Sequence, residues 1–461
     1  MALTHILILA GAALPFMWLV PARWRPWGLL AGSVLAVGWF QDDFLLPAAT
    51  ILLVVIVWWL VQPQQSSSRD TWLALVIMGV GLGVIWLSIP RPGVLTILPG
   101  LGLACVAAIS ATQLLPAHTH PGRIDAYRRL AILVIGAIVA ILFLLKTPPL
   151  ARFFDLWFQP STALARNLSW LGFSYLAFRL IGVLLDFRAG LLPPKGLTLR
   201  DMAVYALFFP AFTAGPIDRA QRFIPELDKA LPLTAPRLVE GTGRITVGVV
   251  KKFIIADSLA LVTLSPALIE QTHSALGLWL LLYIYAFQIF LDFSGYSDVA
   301  IGIGRLYGIT LPENFDRPYL QPNIQQFWQH WHITLSQWFR VYFFTPFTRA
   351  MIRSPRRIPQ PLIVFAAQIS TMLLIGLWHG VTANFVLWGL WHGLGLFAYK
   401  WIADRTRVWY LQRVSPRPWR RRLMYAASVF ITFHFVALGW VFFALPTPHD
   451  SLTVLQRLFG G

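Results

Sequence analysis

Two copies of Gly-Leu-Trp-His-Gly, at 376–380 and 389–393, place His379 and His392 in stretches otherwise apolar enough to cross a bilayer. An imidazole is costly in hydrocarbon, so such a residue usually faces a protein interior or a water-filled path and works there. Its unperturbed pKa of ~6.5 suits it to taking up and releasing a proton near neutral pH. His379 closes the apolar run Pro361 to Trp378, and Gly380, Val381 and Thr382 break the chain before the next run begins at Asn384. The flanking glycines let other backbone or a thin substrate approach the ring. His392 lies 13 residues further on, in a second run, and need not share the site. Taken alone, each histidine also reads as a hydrogen-bonded packing residue.

His330 and His332 sit in the aromatic segment Phe327 to Phe347, which is too polar to span and reads as an interfacial or re-entrant amphipathic helix. Two residues apart on a helix, about 200° around it, they would not chelate one ion, and no third ligand is close, so no metal site is expected. Polar residues also enter the segment Leu291 to Ala300, directly following the run that starts at Leu276, as Asp292, Ser294, Tyr296 and Asp298. Asp298 and Arg305 would share a helix face seven residues apart, a candidate ion pair. Lys251 and Lys252 interrupt an apolar stretch ahead of Asp257, and snorkelling toward a headgroup accounts for them without chemistry. Ser294, Ser297 and Ser336 offer hydroxyls, but the sequence assigns none of them a base.

The elements that must position these groups are membrane helices. Of 461 residues, 57% are hydrophobic and 12% charged, with 21 Trp, a balance no soluble domain of this length shows. A bilayer core ~30 Å thick needs about 20 largely apolar residues per helix. Candidate runs are Thr4 to Val20, Trp27 to Phe40, Phe44 to Val61, Thr71 to Ile89, Gly93 to Leu115, Leu130 to Lys146, Leu168 to Phe187, Met202 to Ala214, Thr246 to Leu264, Leu276 to Phe293, Pro361 to Trp378, Asn384 to Tyr399 and Met424 to Ala444. The expected fold is an all-α polytopic membrane protein of about 11–13 transmembrane or re-entrant helices. The first run lacks a basic start and a convincing cleavage site, so it reads as a retained helix. Residues 1–150 are plain and apolar and read as scaffold, while 151–461 carry the polar insertions and read as the working part.

The net charge of +18 gathers in short loops: Arg23 and Arg25; Arg123, Arg128 and Arg129; Arg353, Arg356 and Arg357; and seven arginines from Arg405 to Arg422. That is the positive-inside pattern, and it marks cytoplasmic loops, with no nucleic acid implied. Counting crossings from these anchors puts both termini outside the cytoplasm. The loops could also hold anionic lipid. Cys105, the only cysteine, lies in an apolar run and supports neither a disulfide nor a metal cluster.

An ordered series of motifs from about Trp170 to Gly460 resembles the membrane-bound O-acyltransferases, in their bacterial branch of alginate O-acetyltransferase and D-alanyl-lipoteichoic acid transfer proteins. The motifs are Phe208-Phe209-Pro210 with Ala214-Gly215-Pro216-Ile217-Asp218-Arg219, Lys251 to Asp257, and Asp292-Phe293-Ser294-Gly295-Tyr296-Ser297-Asp298. They continue with Pro312-Glu313-Asn314-Phe315-Asp316-Arg317-Pro318-Tyr319, Phe327-Trp328, Trp331-His332 and Gly376 to Gly380. The resemblance implies helices surrounding a tunnel, with His379 at the position of the family's essential histidine and His332 at that of a second important one. Asp292, Ser294, Tyr296, Asp298, Trp331, Trp378, Asn384 and Arg340 are the residues expected to line or support the tunnel. No cofactor would be held permanently; the donor would be acetyl-CoA or the phosphopantetheine thioester of an acyl carrier protein. The implied partners are a polymer acceptor or an extracytoplasmic hydrolase-like protein, at the bacterial inner membrane. Two positions depart from the pattern: Arg340-Val341-Tyr342 lacks an acidic residue between Arg and Tyr, and His330 stands where Arg is common.

For a thioester donor, a hydroxyl acceptor needs mainly deprotonation and positioning. His379 is expected to take that proton, and His332 to orient the acceptor or stabilise the oxyanion. Two other readings stay open. A transporter or channel would use the same buried polar groups to line a solute path, though it would more often show internal repeats than one short echo. A non-catalytic scaffold of the same fold would draw on the altered Arg340-Val341-Tyr342 segment.

Overall fold

The computed structural model describes residues 2–41, 45–61, 68–88, 121–147, 170–192, 196–229 and 231–461. The expected run Gly93 to Leu115, with Cys105, lies outside them. The described residues form helices and turns, with no strand among them. In chain order the principal helices are α1 (Leu3–Leu19), α2 (Arg25–Trp39), α3 (Leu45–Val61), α4 (Ser68–Ser88), α5 (Pro121–Lys146), α6 (Phe173–Ala189), α7 (Leu199–Leu207), α8 (Ala220–Asp228) and α9 (Ala235–Val249). There follow α10 (Ala275–Leu306), α11 (Ile324–His330), α12 (Ile333–Phe339), α13 (Thr345–Ile352), α14 (Gln360–His379), α15 (Ala383–Trp409), α16 (Pro418–Ala444) and α17 (Pro448–Leu458).

Among the described residues, four helical stretches are long and apolar enough to cross a membrane: Asp125–Lys146, α10, α14 and α16. Shorter apolar helices include Leu3–Leu19 and Leu45–Val61. The chain is therefore an all-α polytopic membrane protein. Two expected runs prove discontinuous. Met202 to Ala214 breaks after α7, where Pro210 removes a backbone donor and starts a separate short helix, Phe209–Phe212. Thr246 to Leu264 leaves α9 through the wide helical turn Val250–Ala256.

The chain folds as two compact units, residues 1–243 with 300–311, and residues 244–299 with 312–461. In the first, the break after α7 leaves carbonyls without helical partners, and buried Arg179 on α6 supplies donors to Tyr205 O at 3.3 Å, Ala206 O at 3.0 Å and Ala211 O at 2.9 Å. A guanidinium suits the task because its fork carries five donors and no acceptor. Nearby, Asp218 accepts from Arg222, and the Tyr205 hydroxyl donates to the Asp218 backbone oxygen at 2.9 Å. The motifs around Pro210 and Asp218 thus hold backbone together in this unit.

In the second unit, α14 and α15 form an antiparallel hairpin whose crossing is built on the two Gly-Leu-Trp-His-Gly copies. A methyl group on Gly376 would collide with the Phe385 carbonyl oxygen, and one on Gly389 would lie 2.7 Å from the Met372 oxygen and 2.9 Å from Leu373 Cα. Small residues here let two backbones touch, the usual basis of helix association where lipid removes the hydrophobic drive. The close approach that the sequence allowed at these glycines is made by backbone.

The charged residues pair differently from the sequence expectation. Asp298 does not bond Arg305; it bridges Arg244 and Lys251, each at 2.7 Å, while Arg305 meets Glu240 at 2.6 Å. Lys252 binds Asp292 at 2.5 Å and Asp257 at 2.9 Å, so both lysines are matched by carboxylates and snorkelling alone does not account for them. The segment 327–347 is a further correction. In place of one amphipathic helix stand α11, α12 and a wide turn, Arg340–Phe344, with a sharp corner at Trp331-His332.

Candidate functional site

His332 occupies that corner. Its φ of 42° is left-handed, one of two such non-glycine residues among those described. Such a conformation costs of order 1–3 kcal/mol and persists only when the surroundings over-determine it. Here two backbone bonds do so: Ile333 N–H donates to Asn314 O at 2.9 Å, and Asp316 N–H to His330 O at 3.0 Å. The loop 314–316 is thereby tied across the corner, and the His332 ring is driven inward to 2% exposure. Its walls are Phe293, edge-on at 4.6 Å between centroids, Phe315 at 6.5 Å and Trp378 at 6.1 Å.

His332 Nδ1 lies 3.0 Å from Asn314 Oδ1. The same oxygen accepts from Thr334 N–H at 3.3 Å and Thr334 Oγ1 at 2.9 Å, while Asn314 Nδ2 donates to Ser297 Oγ at 3.1 Å. His332 Nε2 is buried and has no hydrogen-bond partner. Burial first, and then the nearby His379, hold the His332 pKa well below 6.5.

His379 ends α14 and is half-buried. It is ringed by Trp378 at 4.4 Å, Phe443 at 4.7 Å, Trp388 at 5.6 Å and Phe385 at 5.8 Å. Trp378 therefore touches both histidines' surroundings. Residues 47 positions apart in sequence converge on one aromatic locus, close enough for the charge of one imidazole to oppose charge on the other. An imidazole in an aromatic setting of low dielectric can accept, hold and return a proton.

The other expected residues divide. Trp331 is buried in the ring cluster, 5.2 Å from Phe315 and 5.1 Å from Trp440. Ser294 is buried on α10, its hydroxyl without a hydrogen-bond partner, and Tyr296 is half-buried on the same helix. Asp292 and Asp298 are taken up by the ion pairs already described. Asn384 anchors α15, donating to Leu445 O at 2.5 Å and Ser451 Oγ at 3.2 Å. Arg340 is exposed at the start of its wide turn. His392 is fully buried between Trp388, at 4.8 Å, and Trp328, at 5.3 Å, a packing position. The residue that sequence reasoning passed over is Asn314. It lies inside the motif Pro312 to Tyr319, and its only signal there is an amide flanked by Glu313 and Phe315.

Residues 155–445 match the family described as MBOAT, membrane-bound O-acyltransferase. The chain belongs to that family. It is 33% identical over 292 residues to a teichoic acid D-alanyltransferase of Streptococcus thermophilus, a match covering 60% of this chain and 68% of the relative. It is 34% identical over 262 residues to a peptidoglycan O-acetyltransferase of Helicobacter pylori, covering 56% and 46%. With a probable alginate O-acetylase AlgI of Pseudomonas aeruginosa it shares 33% over 289 residues, covering 63% and 50%. This membrane-bound O-acyltransferase is accordingly an acyltransferase, and the matched stretch contains both His332 and His379.

Proposed function

We propose that the protein carries an acyl group, acetyl in our reading, from a cytoplasmic thioester to a hydroxyl on an envelope polymer or an extracytoplasmic partner. The convergence of His332 and His379 around Trp378, in a chain of this family, carries the reading. The donor is acetyl-CoA or an acyl carrier thioester, and the protein sits in the bacterial cytoplasmic membrane with both termini outside. His379 accepts the hydroxyl proton as the oxygen attacks the thioester carbon. The C–S bond then breaks, and the thiolate takes that proton from the imidazolium, so an ester and a free thiol leave. General-base help of this kind is worth roughly 10² to 10⁴ in rate.

Envelope polymer extracted from cells expressing the wild-type chain or His379→Ala, at matched protein levels, is compared for ester-linked acyl groups. The reading expects the ester content to collapse in the variant; unchanged content rejects it. Membranes supplied with radiolabelled acetyl-CoA or D-alanyl carrier protein then separate the acyl groups. Ser294-Gly295-Tyr296-Ser297-Asp298 leans toward acetyl and Gly215-Pro216-Ile217-Asp218-Arg219 toward D-alanyl, and label arriving only from the D-alanyl carrier would overturn the acetyl choice.

A further inference from the structure

The Asn314 amide has only one orientation that its neighbours allow. Thr334 N–H can only donate, so the amide atom facing it is the oxygen, and the NH2 group points to Ser297 Oγ. That oxygen also faces His332 Nδ1 at 3.0 Å, and an amide oxygen cannot donate. The hydrogen between them therefore belongs to Nδ1. In a neutral imidazole the other nitrogen then has none. Nε2, buried and with no partner of its own, holds a bare lone pair.

We propose that Asn314 is a positioning residue that locks His332 in its Nδ1–H tautomer, so that Nε2 receives a hydrogen bond from an O–H or N–H of the substrate. The inference rests on the acyltransfer reading and sharpens it. Of the two roles open to His332, orienting a substrate and stabilising an oxyanion, the second needs a hydrogen on Nε2 that this tautomer lacks. No protein group satisfies the Nε2 lone pair, which leaves it to a donor that enters the site. Burial between Phe293, Phe315 and Trp378 opposes the alternative of protonating Nε2, and His379 is the titratable group that opposes it further. The wall rings carry no charge, and Asn314 and Thr334, which bond on the Nδ1 side, are neutral.

The test is magic-angle NMR on histidine-labelled full-length protein in lipid nanodiscs, with the His332 signals assigned as those lost in His332→Asn. Wild type is expected to show protonated Nδ1 and bare Nε2. In Asn314→Leu the Nε2–H form appears, and ester transfer falls by about 10- to 100-fold, taking as a guide the loss when a partner that orients a metal-bound imidazole is removed. Asn314→Asp also accepts from Nδ1–H. It is expected to keep the tautomer, recover most of the transfer at high pH, and move the acid limb of the pH profile upward, because a carboxylate stabilises the imidazolium. A His332 that takes no part in transfer would leave that limb in place, so the aspartate variant decides the matter even if the leucine variant does not fold. Nε2–H in the wild-type spectrum, or an unmoved limb in Asn314→Asp, overturns the proposal. If no acyl group is transferred by wild type, the functional reading fails, while the spectrum still judges the tautomer.

Discussion

Replacing Gly389 with alanine tests whether the α14–α15 crossing sets the position of His379. The added methyl would sit 2.7 Å from the Met372 carbonyl oxygen, 2.9 Å from Leu373 Cα and 3.1 Å from Leu373 N. All three are backbone, which cannot rotate aside. To reach an ordinary contact of 3.4 Å, the helices must part locally by about 0.7 Å. Overpacking of this size costs about 1–3 kcal/mol. The larger effect is on chemistry, because His379 lies on α14 two turns beyond Met372, and a 1 Å error in placement can cost about 10²-fold in rate. We expect Gly389→Ala to lower ester transfer about tenfold to a hundredfold while the protein still accumulates in membranes. The control is Gly243→Ala, inside α9 with nothing within 4 Å of the new methyl, which should stabilise by up to about 1 kcal/mol and leave transfer unchanged. Thermal unfolding in detergent and polymer ester content are read for both. Indistinguishable behaviour of the two variants would refute the claim that the crossing positions the histidine.

His392→Leu removes two buried ring nitrogens that make no hydrogen bond, so the variant should unfold at the same or a higher temperature and retain transfer; loss comparable to His379→Ala would place His392 in the chemistry. The lowered pKa of His332 fixes the sign of a stability effect. Below pH 6.5 the unfolded chain takes a proton that the folded chain refuses, so stability falls as pH drops toward the folded value, by up to about 1.4 kcal/mol per unit. His332→Asn, in which the amide tolerates the left-handed backbone, should reduce the fall in unfolding temperature between pH 7.5 and 5; an unchanged slope would contradict the assignment.

Where local composition decides structure, the sequence could be read directly. The run Pro361 to Trp378 became Gln360–His379, and Met424 to Ala444 became Pro418–Ala444, because an apolar stretch of that length has no other stable form in a bilayer. The run from Leu276 failed at its far end. Hydropathy alone ends it at Phe293, and it continues to Leu306 because Asp292, Asp298 and Arg305 find opposite charges 40 to 65 residues earlier. Such pairing leaves no mark on a local window. The same limit hid the corner at His332. Helical periodicity runs straight through Trp331, and only the remote backbone of Asn314 makes the left-handed turn tolerable. His332 and His379 were identifiable as individual residues, whereas the amide that orients one of them was not.

The ion pairs of α10 also bear on how the chain is made. A lone Lys, Arg or Asp at the centre of a helix costs about 2.5–3.5 kcal/mol to pass from the translocon into lipid. Lys252 with Asp292, and Lys251 and Arg244 with Asp298, join the segment 244–252 to α10 in opposite-charge sets. Released one after the other, each segment would carry its charges bare. Released together, the two aspartates offset two of the three positive charges, so the energetics favour partitioning of this stretch as a single hairpin.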